Sequence, residues 1–381
     1  MSDFLKLAIL SLSVIVETGA RAECPERVEW PDPDFTSETA SVAAGRAAEI
    51  TALEDFAFTL VGEDPERKGA RTDALIIARR GRIIYERYAR GFRADLRHQW
   101  WSVTKSVTNA LAGRAVALER VAIADSICKH RSDLERSACP ITLKDLLEFG
   151  SGIDWAEVYE GKSNQESSVL AMLYGEGHED MAAFVARQGI AHPPGRRFAY
   201  STGDSTLLAG VLHSALSSSV GPDWPAELLF KPIGMQSAII ERDAAGTPVG
   251  GSYLVATPRD LLRFGYLFAR DGCWNGQRLL PEGWVADSTA VSDTFRGSAG
   301  PLLPDEVQGR QFWLNQSVPE QGIEVVWPSA PTETFAALGH WGQSVTIIPP
   351  LELVIVRAAD DREPEVFDFD RFLALAMAVA R

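Results

Sequence analysis

Strand-forming segments lie near both ends of this sequence, whereas its middle shows the apolar spacing that is typical of helices. The segments rich in β-branched and aromatic residues are 74–78, 82–88, 312–314, 344–348 and 351–357. The first two flank Arg79-Arg80-Gly81, which predicts a β-hairpin. The distribution predicts an α/β fold whose antiparallel sheet is formed from both chain ends and flanked by helices, with an inserted all-α lobe. A functional site is expected in the cleft between sheet and lobe.

The apolar spacing also places the helices and divides the chain. The predicted helices cover residues 40–57, 102–118, 141–149, 181–188, 204–217, 257–271 and 367–380. Thr142 and Thr257 are predicted to cap two of them. We expect an N-terminal arm and helix at 23–70 and a main domain at 71–381, with the helical lobe at about 121–260. The Asp360-Asp361 pair is expected in a solvated turn.

Ser102 and Lys105 are the first candidates for chemistry, because they lie three residues apart at the start of a predicted helix. Positions i and i+3 share a helix face, so the hydroxyl would lie beside the amine. A serine hydroxyl needs an adjacent base to become a good nucleophile, and a lysine whose pKa is lowered can supply that base. The helix N-terminus adds free N–H groups, which suit the oxyanion formed when a carbonyl is attacked. This is the S-x-x-K pattern of acyl-transfer enzymes.

Tyr200 lies in a second candidate segment, between a Pro-Pro-Gly turn and a predicted helix. A nearby lysine ammonium favours the phenolate, so Tyr200 is expected to lose its proton more readily than a free tyrosine. The phenolate could then accept the Ser102 proton and pass it to a leaving group. The alternative is a core aromatic residue whose hydroxyl is simply hydrogen-bonded.

The segment around Gly342 is the third candidate. Glycine at this position would let a strand approach a ligand closely. The N–H of Gln343 would then be the second oxyanion donor, beside the N–H of Ser102. His340 would position Tyr200 or polarise the substrate, and a structural histidine is the alternative. The tryptophans that could line the cleft, with core packing as the alternative, are Trp100, Trp101, Trp155 and Trp341.

The three segments together resemble a known superfamily. Ser102-Val103-Thr104-Lys105, Tyr200-Ser201-Thr202 and His340-Trp341-Gly342 occur in the order of the motifs of serine β-lactamases and penicillin-binding proteins. Within that superfamily the chain is similar to the class C-related serine hydrolases: esterases, D-alanyl-D-alanine carboxypeptidases and 6-aminohexanoate-dimer hydrolases. The likeness covers about residues 74–356. It implies a β-lactamase-like fold.

The resemblance also implies an activity and roles for the candidate residues. It identifies Ser102 as the acylated nucleophile, Lys105 as its base partner and Tyr200 as the second base and proton shuttle. Amide or ester bonds of small molecules or short peptides would be cleaved through an acyl-enzyme. Which of Lys105 and Tyr200 is the base in each step stays open.

Two departures from the motifs bear on the substrate. His340 takes the position of a lysine found in many β-lactamases, and a mostly neutral histidine binds a substrate carboxylate less well. Thr202 replaces the usual asparagine and offers a hydroxyl without an amide fork. Both departures disfavour an efficient β-lactamase and are compatible with an esterase or amidase. The resemblance makes Thr202, Trp341 and Gly342 substrate-binding candidates.

Two other functions compete with this interpretation. A D-alanyl-D-alanine carboxypeptidase or penicillin-binding protein would act on cell-wall peptides with the same motifs. A catalytically idle sensor would keep the fold without turnover, although the intact set of Ser102, Lys105 and Tyr200 argues against it.

Residues 1–22 resemble an export signal. Lys6 precedes an apolar run, and Ala20-Arg21-Ala22 supplies a cleavage site between small residues. The run is too short for a stable membrane anchor, so a periplasmic or secreted protein is expected. The alternative is a disordered or membrane-skimming terminus.

The cysteines fit an oxidising compartment. Cys128 and Cys139 could close a small loop, and Cys24 and Cys273 could pair or stay free. Four cysteines allow three pairings, and the sequence does not choose among them.

The charge and the remaining motifs exclude several classes of partner and chemistry. The net charge of −15 disfavours nucleic acids and anionic membrane surfaces. The histidines and cysteines form no H-E-x-x-H, H-x-H or C-x-x-C spacing, so neither a metal nor another cofactor is expected. No G-x-S-x-G occurs, which argues against an α/β-hydrolase elbow. The oligomeric state is not predicted.

Overall fold

The computed structural model describes residues 24, 29–31, 33–299, 302–303, 306–363 and 366–381. Residues 1–22, the predicted export signal, lie outside the described residues. In these described ranges, no helix is both long enough and apolar enough to cross a membrane. The same ranges contain no cluster of three or more His, Cys, Asp or Glu side chains arranged to hold a metal ion.

Most strands lie towards the two ends of the chain and many of the helices in its middle. The strands are β1 (Thr36–Ser37), β2 (Thr72–Arg79), β3 (Arg82–Tyr88), β4 (His98–Gln99), β5 (Ile239–Ile240), β6 (Leu254–Ala256), β7 (Cys273–Trp274), β8 (Gln277–Arg278), β9 (Trp313–Leu314), β10 (Phe335–Gly339), β11 (Gln343–Ile348) and β12 (Leu353–Ala359). The helices are α1 (Thr39–Gly45), α2 (Ala47–Phe58), α3 (Val103–Ala117), α4 (Ile127–His130), α5 (Leu143–Leu147), α6 (Ser168–Tyr174), α7 (Met181–Ala186), α8 (Thr202–Val220), α9 (Lys231–Ile233), α10 (Pro258–Ala269), α11 (Trp284–Ser288), α12 (Asp293–Arg296) and α13 (Phe369–Val379). A π-helical turn at Ala226–Phe230 leads into α9.

The main sheet joins the two ends of the chain. Over the described residues it has seven strands in the order β1-β3-β2-β12-β11-β10-β9. Strands β2 and β12 pair antiparallel at its centre, with Ile76 opposite Val356. Strand β1 runs parallel to β3, whereas the other pairs of this sheet are antiparallel. The prediction of an α/β fold with a sheet formed from both chain ends is confirmed.

Strand β10 is not predicted by the sequence pattern. Its residues, Phe-Ala-Ala-Leu-Gly, include no β-branched side chain, and only Phe335 belongs to a residue type enriched in strands. Pairing with β9 and β11 holds it in the sheet, from Phe335 opposite Ile347 to Gly339 opposite Gln343. Tertiary pairing therefore overrides local propensity.

The middle of the chain is mostly helical but contributes two short strands to the predicted all-α lobe. Strand β6 pairs with β5 from the lobe and with β4, which precedes α3. The backbone N–H of Trp100 extends this contact by donating to the carbonyl of Leu254 at 2.9 Å. The small sheet thus ties the end of the lobe to the segment before Ser102.

Helix boundaries follow the predicted caps at two positions and depart from the prediction at a third. Thr142 forms a capping box with Asp145 at α5, and the Thr257 side chain accepts the backbone N–H of Asp260 at α10. The helix predicted at 40–57 is divided at Arg46, which has a φ of −133°. Gly45 precedes the division, and glycine has low helix propensity.

Two disulfides are present among the described cysteines. Cys24–Cys273 joins the N-terminal arm to β7, and Cys128–Cys139 closes the small loop around α4. Closing that short loop restricts the unfolded chain and contributes about 3 kcal/mol to the free energy of unfolding. The structure therefore selects one of the three pairings that the sequence leaves open.

The Asp360-Asp361 turn is not solvated as predicted, because Asp361 is buried. Asp361 Oδ2 lies 2.7 Å from Arg357 Nη1, and Asp361 Oδ1 accepts the backbone N–H of Arg71 at 2.6 Å. A carboxylate can be buried when its oxygens have donors. This ion pair lies directly beside Gly342.

Candidate active site

Helix α3 carries Lys105 and is buried on nearly all sides. Its polar side chains are hydrogen-bonded inside the core: Ser106 donates to the carbonyl of Gln311 at 2.6 Å, and Asn109 donates to Ser288 at 3.0 Å. A helix that is surrounded in this way and has its polar groups paired is held in one position. The start of α3 is therefore a rigid support for the residues on its first turn.

Ser102 occupies the N-cap position of α3, and its hydroxyl faces Lys105 instead of capping the helix. Lys105 Nζ lies 2.8 Å from Ser102 Oγ, 2.9 Å from Thr202 Oγ1 and 2.8 Å from the carbonyl oxygen of Gly251. Burial lowers the pKa of Lys105 to about 8, although the negative charge of Glu157 acts in the opposite direction. An amine in this range can accept the Ser102 proton close to neutral pH.

The Tyr200 side chain lies close enough to Ser102 to interact with it, so a phenol and an amine reach the same serine. The Tyr200 ring centroid lies 4.9 Å from Lys105 Nζ. The expectation that Lys105 makes Tyr200 more acidic is wrong, because burial and the Glu157 carboxylate raise the pKa of Tyr200 above its ordinary value. Tyr200 is therefore a neutral phenol, and Lys105 is the group whose pKa is lowered.

Trp101 and Trp341 meet beside the serine, and both have the left-handed backbone conformation, with φ of 47° and 58°. Their rings pack edge to face with centroids 5.2 Å apart. A bulky residue in this conformation costs about 1–3 kcal/mol, so the surrounding packing must maintain it. Trp101 turns the chain from β4 into α3. Trp100, in contrast, is a core residue whose indole donates to the carbonyl of Ala256 at 2.9 Å.

A cavity of about 240 Å³ opens at Ser102. It is lined by Trp101, Ser102, Tyr159, Glu160, Leu170, Leu173, Tyr174, Ser252, His340 and Trp341. The wall is mostly apolar and aromatic, with one carboxylate from Glu160. Such a wall suits a small, partly apolar group next to the reacting carbonyl.

His340 connects the sheet side of this cavity to the helical lobe. Its Nε2 lies 2.7 Å from Glu160 Oε1, and its ring stacks on Tyr159 with centroids 5.4 Å apart. Burial lowers the pKa of His340, against the raising effect of the Glu160 charge. The structure thus places His340 against Glu160 and Tyr159, and its role in positioning Tyr200 stays a prediction.

Gly342 is required by packing. Its φ is 86°, and a Cβ atom there would lie 2.3 Å from Asp361 Oδ2 and 2.5 Å from Arg357 Nη1. The packing is a reason for glycine that the sequence did not reveal, and the expected close approach to a ligand stays a prediction. The residue makes room for the buried Arg357–Asp361 ion pair.

The end of β10 lies directly against the segment before Ser102. A Cβ atom at Gly339 would lie 2.4 Å from the carbonyl oxygen of Trp100. The Gln343 side chain fixes the start of β11, because its amide donates to the carbonyl of Ala359 at 2.6 Å. This close approach favours the N–H groups of Ser102 and Gln343 as the oxyanion donors, which stays a prediction.

Glu157 and Tyr159 are candidates that the sequence motifs do not contain. They belong to the 150–167 segment, which connects α5 to α6. Glu157 is hydrogen-bonded to Trp155, Tyr159 and Thr202. The clue in the sequence is the alternation of Trp155, Glu157 and Tyr159, since alternate residues of an extended segment share a side.

Thr202, which was predicted to bind substrate, is only 1% exposed. Its hydroxyl accepts a hydrogen bond from Lys105 at 2.9 Å and donates one to Glu157. The structure therefore places Thr202 as a buried link between a lysine and a carboxylate.

Comparison with known proteins gives matches that span this whole site. A family model described as Beta-lactamase matches residues 58–380. The 6-aminohexanoate-dimer hydrolase of Paenarthrobacter ureafaciens is 23% identical over 332 residues, which are 84% of this chain and 80% of that protein.

Two solved structures illustrate the shared fold. EstCE1, a hydrolase with promiscuous acyltransferase activity, has a TM-score of 0.64 at 16% identity, over 90% of this chain and 100% of its own. A penicillin-binding protein homologue from Caulobacter crescentus has a TM-score of 0.62 at 15% identity, over 88% of this chain and 97% of its own. At these identities the likeness concerns the fold.

Proposed function

Because the chain belongs to the Beta-lactamase family, we propose that it is a serine hydrolase that cleaves amide or ester bonds of small molecules or short peptides through an acyl-enzyme on Ser102. One observation carries the proposal: two groups converge on one hydroxyl. Lys105 Nζ lies 2.8 Å from Ser102 Oγ, and the Tyr200 side chain interacts with the same serine. Nucleophilic acyl transfer needs a serine that is activated by an adjacent base, and the amine of Lys105 is in position to supply one.

Acylation begins when the neutral amine of Lys105 accepts the Ser102 proton and the serine oxygen attacks the substrate carbonyl carbon. The carbonyl oxygen becomes an oxyanion, which the backbone N–H groups of Ser102 and Gln343 stabilise. As the bond to the leaving group breaks, Tyr200 donates its proton to that group and regains one from Lys105. The products are a Ser102 ester and a free amine or alcohol.

Deacylation repeats these steps with water as the nucleophile. The Lys105–Tyr200 pair removes a proton from water, the hydroxide attacks the Ser102 ester, and the serine oxygen leaves with that proton. The acid is released and the free serine is restored. In deacylation the proton taken from water belongs to the pair, because Lys105 and Tyr200 act on the same serine.

The cavity wall supports a neutral or partly apolar acyl group. Trp101, Leu170 and Leu173 contribute apolar surface to a volume of about 240 Å³. Glu160 adds negative charge, and His340 stands where many β-lactamases have a lysine, so a substrate carboxylate gains little here. The name of the Paenarthrobacter relative supports amide hydrolysis, and the hydrolase activity of EstCE1 is compatible with ester substrates.

A fluorophosphonate probe followed by peptide mapping tests the proposal directly. We expect the probe to label the parent protein at Ser102 and to leave Ser102→Ala unlabelled. Hydrolysis of a short-chain nitrophenyl ester should fall with the label. An active parent whose Ser102→Ala variant hydrolyses the ester equally well would refute the acyl-enzyme on this residue.

The carboxypeptidase alternative is separated by a second probe. Fluorescent penicillin that labels Ser102 and is released slowly would favour action on cell-wall peptides. Under the proposed function, the ester and amide substrates turn over while penicillin labels poorly, because the site offers little for the penicillin carboxylate.

We also propose that the protein works outside the cytoplasm on small substrates, without nucleic acid or a stable membrane anchor. The disulfides Cys24–Cys273 and Cys128–Cys139 support an oxidising compartment. Expression with and without residues 1–22, followed by cell fractionation, tests the location. Export should depend on those residues.

A further inference from the structure

The Glu157 carboxylate is held by four donors. Its Oε2 accepts the Trp155 indole N–H at 2.6 Å and the backbone N–H of Thr202 at 2.9 Å. Its Oε1 accepts the hydroxyl groups of Tyr159 and Thr202. A carboxylate that receives this many hydrogen bonds is stabilised as the anion and fixed in orientation.

One hydroxyl connects this carboxylate to the candidate base. Thr202 Oγ1 accepts a hydrogen bond from Lys105 Nζ at 2.9 Å and donates its own proton to Glu157. The lysine is itself almost completely buried. A fixed negative charge close to a buried ammonium favours the charged form of the lysine.

The other groups around Lys105 leave Glu157 as the main charge that acts on it. Ser102, Thr202 and the Gly251 carbonyl are neutral hydrogen-bond partners. Tyr200 is a neutral phenol, and its own pKa is raised by Glu157 and, less strongly, by Glu306. On the outer side of the cavity, His340 is paired with Glu160.

We propose that Glu157 is a positioning residue that keeps Lys105 protonated in the resting enzyme and thereby sets the pH above which Ser102 becomes nucleophilic. This inference rests on the proposed function. Glu157 acts through Thr202 and holds no substrate. Glu157 and Thr202 together orient Lys105 and favour its ammonium form. Thr202 stands at the position where the enzymes that this chain resembles usually have an asparagine.

Substitutions at this position separate charge from shape. Glu157→Gln keeps the shape and removes the charge, whereas Glu157→Asp keeps the charge and shortens the side chain. Glu166→Gln is the matched control, because Glu166 belongs to the same segment and bonds to Ser163, away from Lys105. The measurement is the rate of fluorophosphonate labelling of Ser102 as a function of pH, with ester hydrolysis measured in parallel.

Removing the anion disfavours the ammonium, so the pKa of Lys105 falls and its free amine is present at lower pH. We expect the acid limb of the Glu157→Gln profile to move down by about one pH unit. The limbs of Glu157→Asp and Glu166→Gln should coincide with that of the parent. A Glu157→Gln profile that superimposes on the parent profile overturns the inference, as does an equal shift in Glu157→Asp.

Two further observations keep the test decisive. If Glu157→Gln does not fold, Thr202→Val breaks the same connection and should move the acid limb in the same direction by a smaller amount; an unmoved limb overturns the inference. A parent protein that is not labelled at Ser102 refutes the proposed function itself. A labelled parent with an unmoved limb refutes the role of Glu157 alone.

Discussion

The start of α3 and the 150–167 segment meet at the same lysine, but they are held in place differently. The helix start is regular, and the core surrounds it from Val103 to Leu111. The segment is irregular and depends on side-chain hydrogen bonds, such as Ser151 to Asp204 at 2.7 Å and Ser167 to the Val158 carbonyl at 2.5 Å. The nucleophile and its base therefore come from local helix geometry, whereas the charge that acts on the base comes from distant contacts.

This difference has a functional consequence. Substitutions on the helix side should remove the chemistry, because the reacting atoms are there. Substitutions on the segment side should adjust its pH dependence and its rate. Four predictions test this division.

Lys105→Met should have the largest effect. We expect kcat/KM for a nitrophenyl ester to fall about 10³-fold, because the general base is lost. The melting temperature should change little, since Met has a similar volume and no charge to bury. A loss of activity below tenfold would show that Tyr200 or water suffices as the base. It would contradict the division between the start of α3 and the 150–167 segment.

The pH dependence of the parent should show the lowered pKa of Lys105, about 8. Protonation blocks the base, so kcat/KM should fall tenfold for each pH unit below that value and level off above it. At pH 6 the loss is about 10²-fold. Rates of a neutral ester, corrected for spontaneous hydrolysis, give the profile, and a rate independent of pH between 5 and 8 would contradict it.

Tyr159→Phe should lower kcat/KM by about fivefold, because Glu157 loses one of its four donors while the lysine, serine and phenol remain. Tyr85→Phe is the control, since it removes a hydroxyl–carboxylate hydrogen bond to Glu54 on the far side of the sheet. That variant should retain the parent rate. A loss of 10³-fold in Tyr159→Phe would place this tyrosine among the reacting groups and end the division between the two regions.

Glu160→Gln should have the smallest effect, less than threefold in kcat/KM. The Glu160 side chain is 67% exposed, so its pairing with His340 is screened by solvent and salt. Measuring the variant and the parent at low and high salt should show the difference shrinking as salt is added. A large, salt-independent loss would instead indicate that His340 needs this partner for catalysis.

The parts of the site that could be predicted are those governed by local spacing. The hairpin of β2 and β3 follows from two strand-forming runs around a glycine turn, and the pairing of Ser102 with Lys105 follows from the helical repeat. Both depend on residues that are close in sequence. The 3.6-residue period is enough to place a hydroxyl beside an amine.

The parts that could not be predicted depend on residues that are distant in sequence. Strand β10 has weak propensity and is held by its neighbours. The pKa of Tyr200 has the opposite shift from the expected one, because burial and the negative charge of Glu157 raise it. Gly342 is required by an ion pair formed around β12, which motif comparison does not reveal.

The sequence by itself determined the α/β class, the joining of both chain ends in one sheet and the serine–lysine turn, since periodicity and turn residues encode them locally. The tertiary structure decided the pKa of Lys105 on that turn. Electrostatic energies depend on burial and on distances between groups that folding brings together. Glu157 reaches Lys105 through Thr202 only when the 150–167 segment packs against α8.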